Sequence, residues 1–175
     1  QHLLARTDLP QFIQATPADK LYLLIHEIGV DSSLELFSHV AEDQWRGLMD
    51  LSCWSAGRID HNRFSGWLQA TSVASPEVST RLLKAVDEEF LVSILQGIAT
   101  VEEKDLDKDF VPDNLEILPS PDGEFFILLP QGHPLAPYVI QSLRLIFAED
   151  LLRGRRLLRA CRTEINSQLT EQAFK

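Results

Sequence analysis

Basic residues are scarce in this sequence, and the shortage narrows the range of ligands. Lysine and arginine number 16 against 26 aspartates and glutamates, which gives a formal net charge of −10 and a sequence pI of about 4.9. Because phosphate groups are bound by basic surfaces, we expect no nucleic-acid partner.

Cysteine and long apolar runs are also limited. Cys53 and Cys161 lie far apart and form neither a zinc spacing nor a disulfide framework, which favours a reducing, cytoplasmic location. The longest apolar run, Phe125 to Leu129, is far shorter than the roughly 18 residues that span a bilayer. We therefore expect no membrane span within this sequence.

Known catalytic motifs are missing. The 8 glycines form no nucleotide-binding loop. His26 and Glu27 begin a helical zinc-protease motif, but Val30 occupies the place of the second histidine. An enzyme would need a pocket where His26, Cys53 or His61 meets other polar groups. This class ranks last, and we assign no catalytic residue and expect no cofactor.

The stretch from Thr16 to Gly29 predicts a short buried helix. Thr16 is placed to cap it, Pro17 suits its first turn, and Gly29 permits a left-handed stop. Its apolar face is predicted to contain Leu21, Leu24, Ile25 and Ile28, with Tyr22 and Leu23 beside it.

Similar helix starts recur through the first part of the chain. They lie near Thr16, Asp31, Ala41, Asp60, Ser75 and Asp87. Short units of this kind bury their apolar faces by stacking, so we predict an α-superhelical helical-repeat domain over residues 1–101. Trp45, Trp54 and Trp67 are expected in its core.

The remainder predicts a connector, a hairpin and more helices. Residues 102–133 form an acidic connector, within a loop expected from Val101 to Asn114, and a β-hairpin of Leu115–Leu118 with Glu124–Leu129. Residues 134–175 form C-terminal helices on the same core, with a last one starting near Ser167 or Thr170. The fold class is therefore mainly α, a superhelical stack with one hairpin insertion.

Three short segments resemble an uncharacterised bacterial family, known as a domain of unknown function. They are LYLLIHEIG at 21–29, DLSCW at 50–54 and SPDGEFF at 120–126. The resemblance implies an α-superhelical fold and no activity. More distantly, the helix spacing over residues 9–101 resembles the superhelical N-terminal domain of MgtE-type magnesium transporters.

Five acidic residues have the spacing of a calcium-binding EF-hand loop. They are Asp105, Asp107, Asp109, Asp113 and Glu116. Phe110 stands where the loop requires glycine, and the segment after Glu116 is predicted to be a strand. The alternatives are a calcium or magnesium site and a solvated acidic connector.

Arginines gather in one predicted C-terminal helix. Arg155, Arg159 and Arg162 share the flank opposite its apolar face. The residues after His133 include seven basic and four acidic ones, a net charge of +3, so the rest carries −13. We expect these arginines either to contact an acidic protein surface or to pair with acids of this chain.

The function itself is not specified by these patterns. We expect a non-catalytic protein-interaction or scaffold module that binds a protein partner or self-associates. The alternative is a regulatory domain that senses divalent cations. Because the chain begins at Gln1 rather than Met, we expect a fragment of a longer protein.

Overall fold

The structure, a computed structural model, describes residues 8–104 and 113–173, with side chains described up to residue 162. The chain divides into two compact units, Gln1–Asp87 and Glu88–Lys175, here called the N-terminal and C-terminal units. The described residues confirm the mainly α class, and their strands form two small sheets.

The N-terminal unit is a succession of short helices. Its elements are α1 Leu9–Ala15, α2 Ala18–Ile28, a 3-10 helix Asp31–Ser33, α3 Leu34–Phe37, α4 Glu42–Cys53, β1 Trp54–Ser55, β2 Arg58–Ile59, α5 His61–Ala74 and α6 Pro76–Ala85. Strands β1 and β2 pair in a two-stranded hairpin that the sequence analysis did not predict.

The predicted helix signals have mixed outcomes. Asp60 caps α5, accepting from Arg63 N at 3.1 Å, and Ser75 caps α6, accepting from Val78 N at 3.2 Å. Gly29 ends α2 with a φ of 95°. The cap predicted at Thr16 is wrong, because its hydroxyl donates to Phe12 O at 2.6 Å instead. The hydroxyl of Thr16 therefore satisfies a backbone carbonyl of the preceding helix, α1.

An aromatic cluster forms the core of this unit. The ring centroids of Phe37, Trp45 and Trp67 lie 5.3 to 5.9 Å apart, and all three side chains are buried. The expectation that Trp54 also belongs to the core is wrong, since it is 46% exposed. It lies on β1, beyond the end of α4, and so leaves the helical period that buries Trp45.

The buried face of α2 is narrower than predicted. Leu21 and Ile25 are buried, whereas Ile28 is 37% and Leu23 59% exposed. Helix α2 packs closely on α4, since a Cβ added at Gly47 of α4 would lie 2.6 Å from the Cβ of Ala18. The two helices touch where their side chains are smallest.

The C-terminal unit combines helices with a three-stranded antiparallel sheet. Its elements are α7 Glu88–Gln96, β3 Thr100–Glu103, β4 Leu115–Pro119, β5 Phe125–Pro130, α8 Ala136–Glu149 and α9 Leu151–Ala173. The strand order is β3-β5-β4, so β5 is central. The predicted hairpin is confirmed as β4 and β5.

Two predictions in this unit are wrong. The loop expected from Val101 is a strand at its start, because buried Val101 pairs with Ile127 of β5, a partner distant in sequence. The last helix expected near Ser167 or Thr170 does not start anew, since α9 continues without a break to Ala173.

The hairpin packs on helices of its own unit. Helix α9 contacts β3, and α8 lies beside the end of β4. Leu118, Ile127 and Val101 lie opposite one another in the register, so they share one face of the sheet. This face packs towards α8 and α9.

The tight α2–α4 contact generates a stability prediction. Gly47→Ala forces these helices apart and is expected to destabilise the protein by about 1–3 kcal/mol. Gly66→Ala on α5 is the matched control: its Cβ meets nothing within 4 Å, so improved helix propensity should stabilise by up to about 1 kcal/mol. Urea unfolding followed by tryptophan fluorescence measures both. A Gly47→Ala protein as stable as wild type would show that α2 and α4 are not in close contact.

Candidate functional site

An open cleft of about 490 Å³ lies in the N-terminal unit between α2 and α5. We call it the α2–α5 cleft. It is lined by Tyr22, Ile25, His26, Val30, Asp31, Ser52, Arg63, Gly66, Trp67 and Gln69. Apolar, aromatic and hydrogen-bonding groups are therefore gathered in one concave surface, as in many ligand sites.

Four elements position the lining of the cleft. Tyr22 and His26 are one helical turn apart on α2, with ring centroids separated by 6.0 Å. Trp67 on α5 is only 5% exposed because its ring also packs in the aromatic core. Ser52 enters from α4, and Asp31 from the 3-10 helix. The aromatic core therefore fixes one wall of the cleft.

Polar contacts hold the α5 wall in place. Arg63 donates from its guanidinium to Ser52 O at 3.2 Å and forms an ion pair with Asp60 at 3.3 Å. The Ser52 side chain is 3% exposed, and its Oγ has no hydrogen-bond partner within the described part of the chain. A buried hydroxyl without a partner costs free energy, and rotation of the Ser52 side chain towards the cleft would let a ligand atom relieve that cost.

One of the three titratable residues that an enzyme could use, His26, lines this cleft together with the polar side chains of Asp31, Arg63 and Gln69. His26 lies in the last turn of α2, whereas Cys53 and His61 are not among the lining residues of the cleft. Burial, together with the carboxylate of Asp60, raises the pKa of the Cys53 thiol to about 12. A thiol held neutral in this way is not an activated nucleophile.

The predicted metal site falls partly outside the structure. Asp105, Asp107 and Asp109 lie outside the described residues. Asp113 lies two residues before the start of β4, and Glu116 lies within β4, opposite Leu129 of β5. Among the described residues, no group of three or more potential metal ligands is found. The calcium or magnesium site stays a prediction.

The predicted arginines lie along α9 and face the sheet. Arg155 Nε lies 2.8 Å from Asp122 Oδ2, and Arg162 Nη1 lies 2.6 Å from Glu103 Oε1. Arg155 and Arg159 also line a cleft of about 340 Å³ beside Glu103. Arg155 and Arg162 thus pair with acids of this chain, which is one of the two expected outcomes. Binding of a partner by these arginines stays a prediction.

The Arg155 contact is the better buried of these pairs. Burial acts to raise the pKa of Asp122, but hydrogen bonds from Ser120 and Arg155 outweigh it, so the pKa lies below its ordinary value. The Asp122 side chain is 10% exposed. This pair fixes α9 to the β4–β5 turn, whereas the more exposed Arg162 pair contributes little.

Sequence reasoning did not identify the α2–α5 cleft. Tyr22 and His26 at helical spacing were a usable signal for one wall. Ser52, Arg63 and Gln69 carry no local motif, and only the packing of α4 and α5 brings them to the cleft.

The fold and this cleft define a mainly helical protein with a concave polar and aromatic site. No described helix combines the length and apolar character needed to span a membrane. The model of a family of unknown function, DUF6178, matches residues 1–175, and the chain belongs to this family. Comparisons with curated proteins and with solved structures found no match. None of these comparisons supports the distant resemblance to MgtE-type transporters.

The buried thiol predicts a pH dependence of stability. Its pKa rises from an ordinary 9.0 to about 12 in the folded protein, so between these values the unfolded chain loses a proton that the folded chain keeps. The free energy of unfolding should therefore fall above pH 9, and Cys53 should contribute about 1.4 kcal/mol per pH unit to this fall. Urea unfolding of wild type and Cys53→Ala at increasing pH measures the difference. Equal slopes for the two proteins would contradict a buried, neutral Cys53.

The cation hypothesis predicts a ligand-dependent melting temperature. Calcium or magnesium that binds only the folded protein must raise its melting temperature. The rise should vanish in Asp105→Asn/Asp107→Asn/Asp109→Asn and persist when three other exposed acids, Glu27, Glu35 and Asp50, are neutralised instead. Calorimetry with and without chelator measures it. An unchanged melting temperature at millimolar cation would eliminate the hypothesis.

Proposed function

We propose that this protein is a non-catalytic protein-interaction module whose α2–α5 cleft binds an extended segment of a partner protein. The observation that supports the proposal best is the combination of the Trp67 wall with the unpartnered hydroxyl of Ser52 in the same cleft. Peptide-binding clefts commonly combine an apolar wall for an anchor side chain with hydrogen-bonding groups for the main chain.

The cleft favours a particular segment chemistry. Ile25, Val30 and Trp67 offer an apolar surface for one large side chain. Ser52 and Gln69 offer hydrogen bonds to the amides on either side of it. Among the lining residues the charge of Arg63 is offset by that of Asp31, so the site carries little net charge. We therefore expect an apolar anchor within a neutral segment, rather than a strongly charged motif.

The scaffold role is part of the same proposal. The succession of short helices from α1 to α6 supports their interpretation as repeated units of a superhelix. A cytoplasmic location is also proposed, because Cys53 and Cys161 are both free and buried.

Gly66 provides a sharp test of this cleft. It is exposed, lines the cleft, and has nothing within 4 Å of the position of a Cβ. Gly66→Phe should fill the cleft without disturbing the core. Peptides selected from a displayed random library on wild-type protein should lose affinity about tenfold or more for Gly66→Phe, as measured by fluorescence anisotropy.

Val73→Phe is the matched control. Val73 lies on the same helix, is 69% exposed, and is not a lining residue, so this variant should bind the selected peptides as wild type does. Selected peptides that bind Gly66→Phe and wild type equally would show that binding occurs elsewhere. A selection that yields no binding peptide would contradict the proposal directly.

A further inference from the structure

Strand β4 presents an open edge of the C-terminal sheet. The order β3-β5-β4 leaves one side of β4 unpaired, and within residues 8–104 and 113–173 no strand occupies it. Leu115, Ile117 and Leu118 make the strand apolar, and they remain half-exposed. Edge strands are usually protected by lysine, proline or a bulge. Here Pro119 protects only the last position.

An apolar groove adjoins this edge. It measures about 540 Å³ and lies between the end of β4 and helix α8. Leu118, Ile127, Val139 and Leu143 contribute to its wall, and Arg144 is the only charged residue among its lining residues. Arg144 is exposed and forms no ion pair with any described residue. The groove thus combines apolar walls with one unpaired cation.

The open edge and the groove together define what fits there. An unpaired strand edge offers alternating backbone donors and acceptors, which match another extended chain. The groove next to it accepts apolar side chains, and Arg144 favours an acidic one among them. Strand β4 itself has this composition, since Glu116 lies between Leu115 and Ile117.

We propose that two copies of this chain pair antiparallel through β4 and join their sheets into one of six strands. Placing Ile117 opposite the partner's Ile117 sets Leu118 opposite the partner's Glu116. Glu116 and Leu118 are two residues apart and so lie on the same face, the one that packs towards α8. The partner's Glu116 therefore reaches the groove beside Leu118, where Arg144 is available.

Symmetry makes this contact self-consistent. A twofold axis at Ile117 repeats every contact, so both grooves receive an acidic side chain and both open edges are paired at once. Glu116 has no ion pair with any described residue in the single chain. An unrelated partner would pair with the β4 edge of one chain only. A second copy of this chain pairs the β4 edges of both chains at once.

Charge reversal tests the proposal in solution. Analytical ultracentrifugation of the full chain from about 1 µM to about 1 mM should show a dimer that dissociates on dilution. Glu116→Arg and Arg144→Glu should each weaken dimerisation about tenfold or more, and the double variant should restore it. Glu35→Arg, an exposed charge reversal in the N-terminal unit, should leave the dimer unchanged.

Several results would overturn the proposal. One is a protein that stays monomeric at all concentrations. The others are a dimer whose stability Glu116→Arg does not change, and a double variant that dimerises no more strongly than the single variants. Hydrogen exchange of the wild type is a second measurement that needs no variant. The amides of β4 should exchange more slowly at high protein concentration, while those of β1 should not change, and equal exchange of β4 at both concentrations would refute pairing there.

Discussion

The N-terminal unit depends on satisfying the ends of its short helices. Every α-helix leaves several backbone carbonyls unpaired at its end, and short helices have many such ends for their length. Three arginines donate to carbonyls at or after helix ends elsewhere in the unit: Arg46 to Ala85, Arg63 to Ser52 and Arg81 to Val40. Buried Gln44 similarly donates to Ile13 O and Thr16 O, both at 2.7 Å, where α1 ends. Side chains thus donate hydrogen bonds to carbonyls that the helices themselves leave unpaired.

This use of arginine changes how the acidic balance of the chain is understood. Three basic side chains of the N-terminal unit hold helix ends, and on α9 Arg155 and Arg162 pair with acids of the sheet and its turn. Arg63 connects the two roles, since its contact with Ser52 O also shapes the α2–α5 cleft. The contacts that satisfy the ends of these short helices therefore also build one wall of the candidate site.

Local signals predicted the elements well and their assembly poorly. The caps at Asp60 and Ser75 and the β4–β5 hairpin were predictable, because capping and turn chemistry act over a few residues. Strand β3 was not predictable, because its sequence is charge-rich and holds one buried valine. That valine becomes buried through pairing with β5, which is distant in sequence. The β1–β2 hairpin turns at Ala56 and Gly57, both with positive φ, and Ala56 is a rare residue in that conformation. The cleft was missed for the same reason as β3, because Ser52 and Arg63 meet only through the packing of α4 and α5.

The two units differ in where they leave backbone and side-chain polar groups unsatisfied, and this difference decides the kind of partner each can take. In the N-terminal unit three arginines satisfy helix ends, and among the buried side-chain groups without a partner in the described residues, that of Ser52 belongs to a residue lining the cleft. Recognition there depends on the shape and hydrogen bonding of one inserted group. In the C-terminal unit it is the backbone of β4 that is left over, and a strand edge accepts any extended chain of suitable composition. Selectivity at that edge must therefore come from the adjoining groove. Arg144 is the charged residue among its lining residues, and it favours an apolar strand that contains an acidic residue over one that does not.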